Sequence, residues 1–420
     1  MLHALLAAHR RLNPFTTPEA RRFALLFTVV YFAQGMWYLP NQTITIVLKD
    51  AGFTAGGVAN FFVIATMPWL IKPLYGLISD FFPLFGRRRQ SYFMLTTSLA
   101  AAAGLVLATT GTRDYWPLLL GFTVMGLGLA FTDVLTDALM VENGRRLGLT
   151  GAFQSMQWAA IYVSAILVGE IGGRLAETRS LVPAFALAAG FPLLSLAMAA
   201  TFLREPRVAA DRAALRRTLL AVRVALGTRE VWAVAGFIFF FMFSPSFGPG
   251  FLFYQTDRLG FSQHFIGRLA ALQALGSVVG ALTYAPLSSR WPLRRSIVVT
   301  IGLSAAVTLM YLLYRGPGSA IAIDLVYGWV YMVTTLAFLE LAAKACPRHV
   351  EGTFFALMTS VYNAGVQLSQ WTGGHLYDAI GFESLVVISA GATLLAWLLV
   401  PLVRIDAIEA RARSEAAQVA

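Results

Sequence analysis

Long apolar segments recur along the whole chain, and they constrain its fold more than any other feature. A helix of about 20 mainly apolar residues spans the hydrocarbon core of a bilayer. Of the 420 residues, 58% are hydrophobic and only 13% are charged, which leaves too little polar surface to cover soluble domains. The sequence therefore predicts an all-α membrane protein. Twelve transmembrane helices are predicted, at 24–46, 56–80, 91–110, 115–140, 151–175, 181–203, 231–254, 264–289, 296–314, 319–344, 352–378 and 383–403.

The positions of the basic residues predict the orientation of these helices. If both chain ends face the cytoplasm, 24 of the 32 Lys and Arg residues lie on the cytoplasmic side, seven lie outside and Lys72 lies within a span. This asymmetry follows the positive-inside rule. It accounts for the net charge of +11 without a nucleic-acid partner. Residues 1–22 lack the apolar run of a signal peptide, so we expect a multi-pass protein of the inner (plasma) membrane with cytoplasmic termini.

The chain repeats a short pattern at an interval of about half its length. The segment KDAGFT (Lys49–Thr54) follows the first span, and DRLGFS (Asp257–Ser262) follows the seventh. Each ends in a residue that favours a helix N-cap. Proteins that rock one half of the chain against the other are built from such repeats. We predict a cytoplasmic segment at 1–23, six-helix bundles at 24–203 and 231–404, an Arg-rich cytoplasmic linker at 204–230 and a cytoplasmic tail at 405–420.

The loop between the second and third spans carries a pattern of Gly, Asp and Arg, at Gly76, Asp80, Gly86, Arg87 and Arg88. Together with the two sixfold repeats, this loop resembles that of the major facilitator superfamily. The resemblance implies a cytoplasmic latch, in which the acid at the helix end pairs with neighbouring cations. The spacer FFPLF between Asp80 and Gly86 is longer than usual, which points to a subgroup. The gating residues expected from the resemblance are Asp80, Arg87, Arg88 and Glu142.

Four segments carry a more specific resemblance. They are KPLYGLISDFFPLFGRRRQSY (72–92), TDVLTDALMVENGR (132–145), FQSMQW (153–158) and CPRHVEGTFFALMTSVYNAG (346–365). In these segments the chain resembles the folate–biopterin transporter family. The resemblance implies a major facilitator fold with twelve helices in two pseudo-symmetric bundles, and a folate- or pterin-like organic anion as cargo.

Lys72, Asp133 and Asp137 lie well inside predicted spans and need partners, because an isolated charge in the membrane costs several kcal/mol. Lys72 lies eight residues before Asp80, and Asp133 lies nine residues before Glu142 on a span that runs in the same direction. The two side chains therefore lie at similar depth, and we predict that Lys72 pairs with Asp133 or with Asp137. Pro73 loosens the helix beside the charge. Such a pair is either structural or is broken by an anionic cargo or a proton.

Polar and aromatic residues recur at helical spacing and predict the lining of a central cleft. These amides either join neighbouring helices by hydrogen bonds or bind the edge of a flat heterocycle beside aromatic rings. The carboxylates of a folate tail would need a cation such as Lys72. The candidate binding residues are Lys72, Gln34, Tyr38, Asn41, Asp133, Asp137, Gln154, Gln157, Trp158, Tyr331, Asn363 and Gln367.

Several other acids have simpler interpretations. The pairs Glu170–Arg174 and Glu340–Lys344 are spaced as structural ion pairs on one helix. Asp324 and Glu351 are interpreted as terminal groups of their spans. The five His residues show no ligand spacing and Cys346 is the single cysteine, so no metal site and no cofactor are predicted.

The sequence therefore predicts a secondary transporter of a folate- or pterin-like anion that works by alternating access. Proton coupling is a hypothesis that rests on Asp133 and Asp137. No phosphate-binding loop for ATP is present. The expected partners are the small-molecule cargo, protons and the lipid bilayer, and the expected state is a monomer. One alternative is the same fold with another cargo, such as a drug, a sugar or a nucleotide-linked anion. The other is a membrane enzyme or scaffold, and no enzyme is predicted.

Overall fold

The computed structural model describes residues 14–210, 212–346 and 351–417. Its first half contains six long helices, each apolar enough to cross a membrane. They are α1 (Pro18–Asp50), α2 (Ala55–Phe81), α3 (Gln90–Thr110), α4 (Tyr115–Leu147), α5 (Thr150–Glu177) and α6 (Leu181–Phe202). The second half continues with α7 (Arg229–Arg258), α8 (Gln263–Arg290), α9 (Leu293–Leu313) and α10 (Pro317–Ala345).

The last apolar segment, Phe354–Leu402, consists of two helices. As one helix its 49 residues would be about 74 Å long, more than twice the thickness of the hydrocarbon core. Gly381 breaks it with a φ of 75° and a ψ of 178°, in the left-handed region that suits glycine. The two parts are α11 (351–380) and α12 (382–402). The eleven apolar segments found in the described residues therefore make twelve crossings, which confirms the predicted number.

Two further helices lie outside the membrane-spanning set. The linker helix, Arg212–Leu226, connects the halves, and the tail helix, Ile405–Ala417, follows α12. We call the end of the bundle where these two helices lie the linker face, and the opposite end the far face. The placement of a domain boundary within 204–230 stays a prediction.

The repeated segments form matching corners on the far face. Gly52 and Gly260 both have a positive φ, of 89° and 65°. The hydroxyl of Thr54 accepts the amide of Gly57, and the hydroxyl of Ser262 accepts that of Phe265, each at 3.1 Å. Both N-caps are thus confirmed.

The helices α1 and α2 are irregular in the middle of the membrane. In α1 a 3₁₀ turn at Met36–Tyr38 precedes Pro40, and in α2 a 3₁₀ turn at Met67–Ile71 begins around Pro68. Regular α-helix resumes at Lys72, and Pro73 lies in its first turn. Because Pro73 has no amide hydrogen, it cannot donate to the carbonyl four residues earlier, so the break falls just before Lys72.

Aromatic packing fixes which side of α1 faces the interior of its own bundle. Trp37 is 1% exposed and stacks on Phe122 of α4 at 4.5 Å between ring centroids. The ring of its neighbour Tyr38 meets Trp37 edge to face, with 5.0 Å between ring centroids, and keeps 48% of its surface exposed. The apolar core of the first bundle therefore orients Tyr38 toward the space between the two halves.

The halves meet along α2 with α11 and along α5 with α8, toward the far face. Glycines permit this approach, since a Cβ atom on Gly173 would lie 2.9 Å from the carbonyl oxygen of Gln263. The two repeated corners also meet, because Lys49 Nζ lies 2.7 Å from Asp257 Oδ1. On α11 the Asp378 carboxylate accepts the backbone amides of Ala55 and Gly56, at 3.1 and 2.7 Å, at the start of α2. The far face is closed by these contacts.

Candidate functional site

A buried ion pair lies in the first bundle. Lys72 Nζ contacts Asp133 Oδ2, and their side chains are only 16% and 7% exposed. Lys72 begins the regular part of α2 just after its 3₁₀ turn, and Asp133 lies midway along α4. The depth estimate from the sequence thus identified the two helices, and the structure selects Asp133 as the partner. Removal of the Lys72 charge would leave the Asp133 carboxylate buried and uncompensated.

The second acid of α4, Asp137, has different neighbours. Its Oδ1 accepts the hydroxyl of Tyr31 from α1 and, at 3.3 Å, the amide of Gln157 from α5. Both donors are neutral. With both carboxylates ionised, the cluster of Lys72, Asp133 and Asp137 carries two negative charges and one positive charge. One proton would neutralise it.

A cavity of about 410 Å³ lies between α1, α2, α7 and α11, within the size range of small-molecule sites. The described residues that line it carry amide, hydroxyl, aromatic and aliphatic groups and no charged side chain. They are Tyr38, Asn41, Gln42, Thr45, Ala59, Phe62, Val63, Thr66, Trp69, Gly248, Pro249, Leu252, Asn363, Val366, Gln367, Gln370 and Trp371.

Four of the predicted binding residues line this cavity: Tyr38, Asn41, Asn363 and Gln367. Sequence reasoning missed Gln42, Trp69 and Trp371. Trp69 precedes Lys72 by three residues, so a turn of helix links the cavity to the ion pair. Gln42 and Trp371 each lie four residues after a predicted binding residue, Tyr38 and Gln367, so the helical repeat places them on the same faces.

The remaining predicted residues are distributed differently. Gln157 belongs to the Asp137 cluster, whereas Gln154 is an exposed residue on α5. Trp158 packs against Tyr162 with 6.1 Å between ring centroids. The hydroxyl of Tyr331 lies 3.3 Å from that of Tyr362. Gln34 lies one turn before Tyr38 and does not line the cavity.

Polar contacts cross between the halves at the cavity wall. Gln367 Nε2 on α11 donates to the carbonyl of Thr66 on α2 at 3.0 Å. Gln42 Nε2 on α1 donates to the carbonyl of Gln263 on α8 at 2.7 Å. Trp371 Nε1 donates to Asn60 Oδ1 at 2.7 Å. The residues that line the cavity therefore also hold the two halves together.

On the linker face, an ion-pair network forms around Arg89 and not around the predicted Arg87 and Arg88. Arg89 Nη2 lies 2.8 Å from Asp80 Oδ1 and 2.6 Å from Glu142 Oε1. The turn at Phe85 and Gly86, both with positive φ, brings Arg89 to the N-cap position of α3, beside the ends of α2 and α4. Arg88 is exposed. Nothing in the sequence shows which of the three consecutive arginines forms the network.

Glu205 completes this network from the segment after α6. Its Oε2 accepts the backbone amides of Arg89 and Gln90 at 2.8 and 3.1 Å, and it was not predicted. Burial of Arg89 disfavours its charged form, but the hydrogen bonds and charges of Glu142 and Asp80 outweigh this, so the pKa of Arg89 is raised.

The interpretation of Asp324 as a terminal group is wrong. It is 2% exposed, and its two carboxylate oxygens accept the hydroxyls of Tyr311 and Tyr314, each at 2.8 Å. The last turn of α9 folds over the start of α10 and covers the acid, a contact that the sequence of α10 alone does not reveal. The side chain of Glu351 and the residues His3, His9 and His349 lie outside the described part of the structure.

The two helical ion pairs are present, each with further partners. Glu170 contacts Arg174 and also His264 and Arg268 of the other half, at 3.1 and 3.6 Å. Lys344 Nζ lies 2.6 Å from Glu340 and 3.6 Å from Glu409 of the tail helix. Among the described residues, no group of three His, Cys, Asp or Glu side chains could hold a metal ion.

A family match and two similar sequences agree on the family to which this chain is related. Residues 34–407 match the BT1 family. A folate-biopterin transporter of Synechocystis sp. is 30% identical over 396 residues, which cover 87% of this chain and 78% of the relative. A protein of Arabidopsis thaliana named "Probable folate-biopterin transporter 4" is 25% identical over 86% of this chain and 89% of its own.

Among solved structures, a mutant of the nucleoside transporter NupG superposes with a TM-score of 0.74. The match covers 91% of this chain and all of that one, at 11% sequence identity. At this identity the likeness shows the fold alone, which is that of the major facilitator transporters, with two six-helix bundles.

Proposed function

We propose that this chain, which belongs to the BT1 family, carries a folate- or pterin-like organic anion across the membrane by alternating access. Its relatives are membrane transporters and not enzymes, and this chain is a multi-pass membrane transporter like them. The family match over residues 34–407 is the observation that carries the proposal. We further propose that the protein acts as a monomer in the inner membrane, with its linker face in the cytoplasm.

The cavity suits the ring of such a cargo. Tyr38, Trp69 and Trp371 offer aromatic surfaces on which a flat heterocycle can stack. Amide groups of Asn41 and Gln367 can bind the edge of the ring. The wall itself is uncharged, so the carboxylates of a folate tail need a cation nearby. Lys72, one turn from Trp69, is the cation that the fold supplies, and an anionic cargo would compete with Asp133 for it.

Alternating access requires that the far face opens and closes. In this structure it is closed by Lys49 with Asp257, by Asp378 at the start of α2 and by the glycine contacts of α5 with α8. The contacts made here by small residues and by single polar groups can break together when one bundle rotates against the other as a rigid body. The positive-inside rule supports placing the linker face in the cytoplasm, so this closed far face would lie outside.

Proton coupling is proposed for Asp137. Lys72 already balances Asp133, whereas Asp137 has only the neutral donors Tyr31 and Gln157. A buried carboxylate that contacts no cation and lies one turn from a second carboxylate favours its protonated form. Protonation of Asp137 would neutralise the cluster. Release of that proton on one side of the membrane would couple the transport cycle to a pH gradient.

Uptake by the purified protein in liposomes tests the function. Radiolabelled folate and biopterin are supplied with and without an imposed pH gradient, beside a nucleoside, a pentose and an unrelated organic anion. We expect uptake of a pterin-containing compound that unlabelled pterins reduce and that the gradient accelerates. Uptake of the nucleoside or pentose instead would show that the proposed cargo is wrong. Uptake that does not respond to the gradient would show that transport is not coupled to protons.

A further inference from the structure

The linker helix has two apolar faces. Leu215, Val222 and Leu226 lie at spacings of seven and four residues on one face, and all three are half-buried. The helix packs on the end of α2 and the start of α7, and Leu226 contacts the apolar core of the second half. On the opposite face, Leu220 and Val224 lie four residues apart and keep 59% and 73% of their surfaces exposed. Packing within the protein therefore explains only one of the two faces.

Arginines flank the exposed apolar face. Arg216 and Arg223 lie seven residues apart, which places them on one side of this face, and Arg217 lies on the other side. All three arginines are exposed, and the segment 212–226 contains no acidic residue. An apolar stripe bordered by cations is typical of helices that lie in the headgroup region of a bilayer.

A tryptophan indicates the depth of the linker helix relative to the membrane. Trp232 lies in the first turn of α7, is 62% exposed and donates from Nε1 to the carbonyl of Leu226 at 2.7 Å. Exposed tryptophans of membrane helices are enriched at the level of the lipid headgroups. This hydrogen bond therefore holds the end of the linker helix at the bilayer surface and not out in the aqueous phase.

We propose that the linker helix binds the surface of a bilayer that contains anionic lipids. Leu220 and Val224 enter the boundary between headgroups and acyl chains, while the three flanking arginines contact lipid phosphates. The helix rests on α2 of the first half and on α7 of the second, so bound lipid acts at the junction between the halves. The proposal does not depend on which cargo the protein carries.

Fluorescence quenching in liposomes tests the proposal. An environment-sensitive fluorophore is attached at Val224→Cys, in a background with Cys346→Ser, and lipids that carry a quencher at the headgroup report its contact with the bilayer. The purified protein is reconstituted in phosphatidylcholine, with or without phosphatidylglycerol. We expect quenching to be at least about twofold stronger with phosphatidylglycerol. The variant that combines Arg216→Gln, Arg217→Gln and Arg223→Gln should lose this difference.

A control variant removes the same charge from other exposed positions of the linker face, with Arg145→Gln, Arg290→Gln and Arg404→Gln, and it should keep the difference. Equal quenching in the two kinds of liposome would overturn the proposal, and so would an equal effect of the two triple variants. Glycerol phosphate added to protein in phosphatidylcholine should leave the fluorescence unchanged. If it reproduces the change caused by phosphatidylglycerol, the arginines bind free phosphate and the proposed lipid surface is wrong.

Discussion

At the scale of single residues, the two acids of α4 differ because of what surrounds them. Asp133 contacts the ammonium of Lys72, while Asp137, one turn away, contacts a hydroxyl and an amide. A buried ion pair gains Coulomb energy but loses hydration, so its net effect on stability is small, whereas a single remaining charge is costly. This difference allows a structural pair to be distinguished from a functional one.

Replacement of Lys72 by Met is expected to lower uptake at least tenfold, because it removes the cation for the cargo and leaves Asp133 unpaired. The double variant Lys72→Met with Asp133→Leu replaces the pair by apolar groups and should restore folding, measured by size-exclusion chromatography and thermal unfolding. We expect it to remain inactive. If the double variant regains uptake, the pair has a structural role only.

Asp137→Asn removes the group that we propose to exchange a proton. We expect this variant to bind cargo with little change and to lose the acceleration of uptake by a pH gradient. Asp324→Asn is the matched control, since Asp324 is also buried on a membrane helix but is held by two tyrosine hydroxyls away from the cavity. Should Asp324→Asn abolish the response to the gradient and Asp137→Asn retain it, the proton site has been assigned to the wrong acid.

At the scale of the elements, helix ends on the linker face are joined by acids from distant segments. Glu205, after α6, accepts the amide at the start of α3, and Glu409, after α12, accepts the amide of Leu293 at the start of α9, at 3.2 Å. Carboxylates at helix N-termini satisfy unpaired amides and interact favourably with the helix dipole. In each half, a glutamate that follows the last helix of the bundle therefore binds the start of the third helix of that bundle.

Arg89→Ala should destabilise the first bundle by about 1–3 kcal/mol, because Arg89 is buried and joins the ends of α2 and α4 by hydrogen bonds. Thermal unfolding in detergent, compared with Arg88→Ala, measures the effect. Arg88 is exposed, so its replacement should leave the unfolding temperature almost unchanged. Equal effects of the two variants would show that the charge of the loop, and not the contact of Arg89, determines stability.

At the scale of the whole molecule, the two halves are symmetric in their backbone and unequal in their charges. Lys49 and Asp257 occupy the same position in the two repeats, and they contact each other across the far face. The charges inside the membrane that lie near the cavity belong to the first half, at Lys72, Asp133 and Asp137. We infer that the second half supplies mainly the surfaces for the ring and for closure, and that the first half supplies the charge chemistry.

Asp378→Ala should weaken closure of the far face, since it leaves the two amides at the start of α2 without their acceptor. Labelling of Ala59→Cys in the cavity by a membrane-impermeant thiol reagent measures this, in a background with Cys346→Ser. Added outside, the reagent is expected to react several times faster in the Asp378→Ala variant. Asp50→Ala, which breaks an exposed pair with Arg179 within the first half, should leave the rate unchanged. An unchanged rate in Asp378→Ala would mean that the glycine contacts alone keep the far face closed.

Much of this organisation was determined by the sequence. The bilayer demands long apolar helices, so twelve spans could be counted, and the spacing of Lys72 and Asp133 from their helix ends placed them at one depth. Local rules also predicted the caps at Thr54 and Ser262, because an N-cap depends on residues within one turn. These features follow from the chain's own periodicity and from the solvent around it.

The tertiary structure decided which neighbours meet. Only packing selected Asp133 over Asp137 as the partner of Lys72, Arg89 among three arginines, and the tyrosines that cover Asp324. Hydrogen bonds at the cavity wall, such as those of Gln42 with Gln263 and of Gln367 with Thr66, join residues more than 200 positions apart. Helical periodicity fixes the direction of a side chain on its own helix, but the rotation and tilt of two helices against each other depend on the sum of many weak contacts, and that sum is available only in the folded molecule.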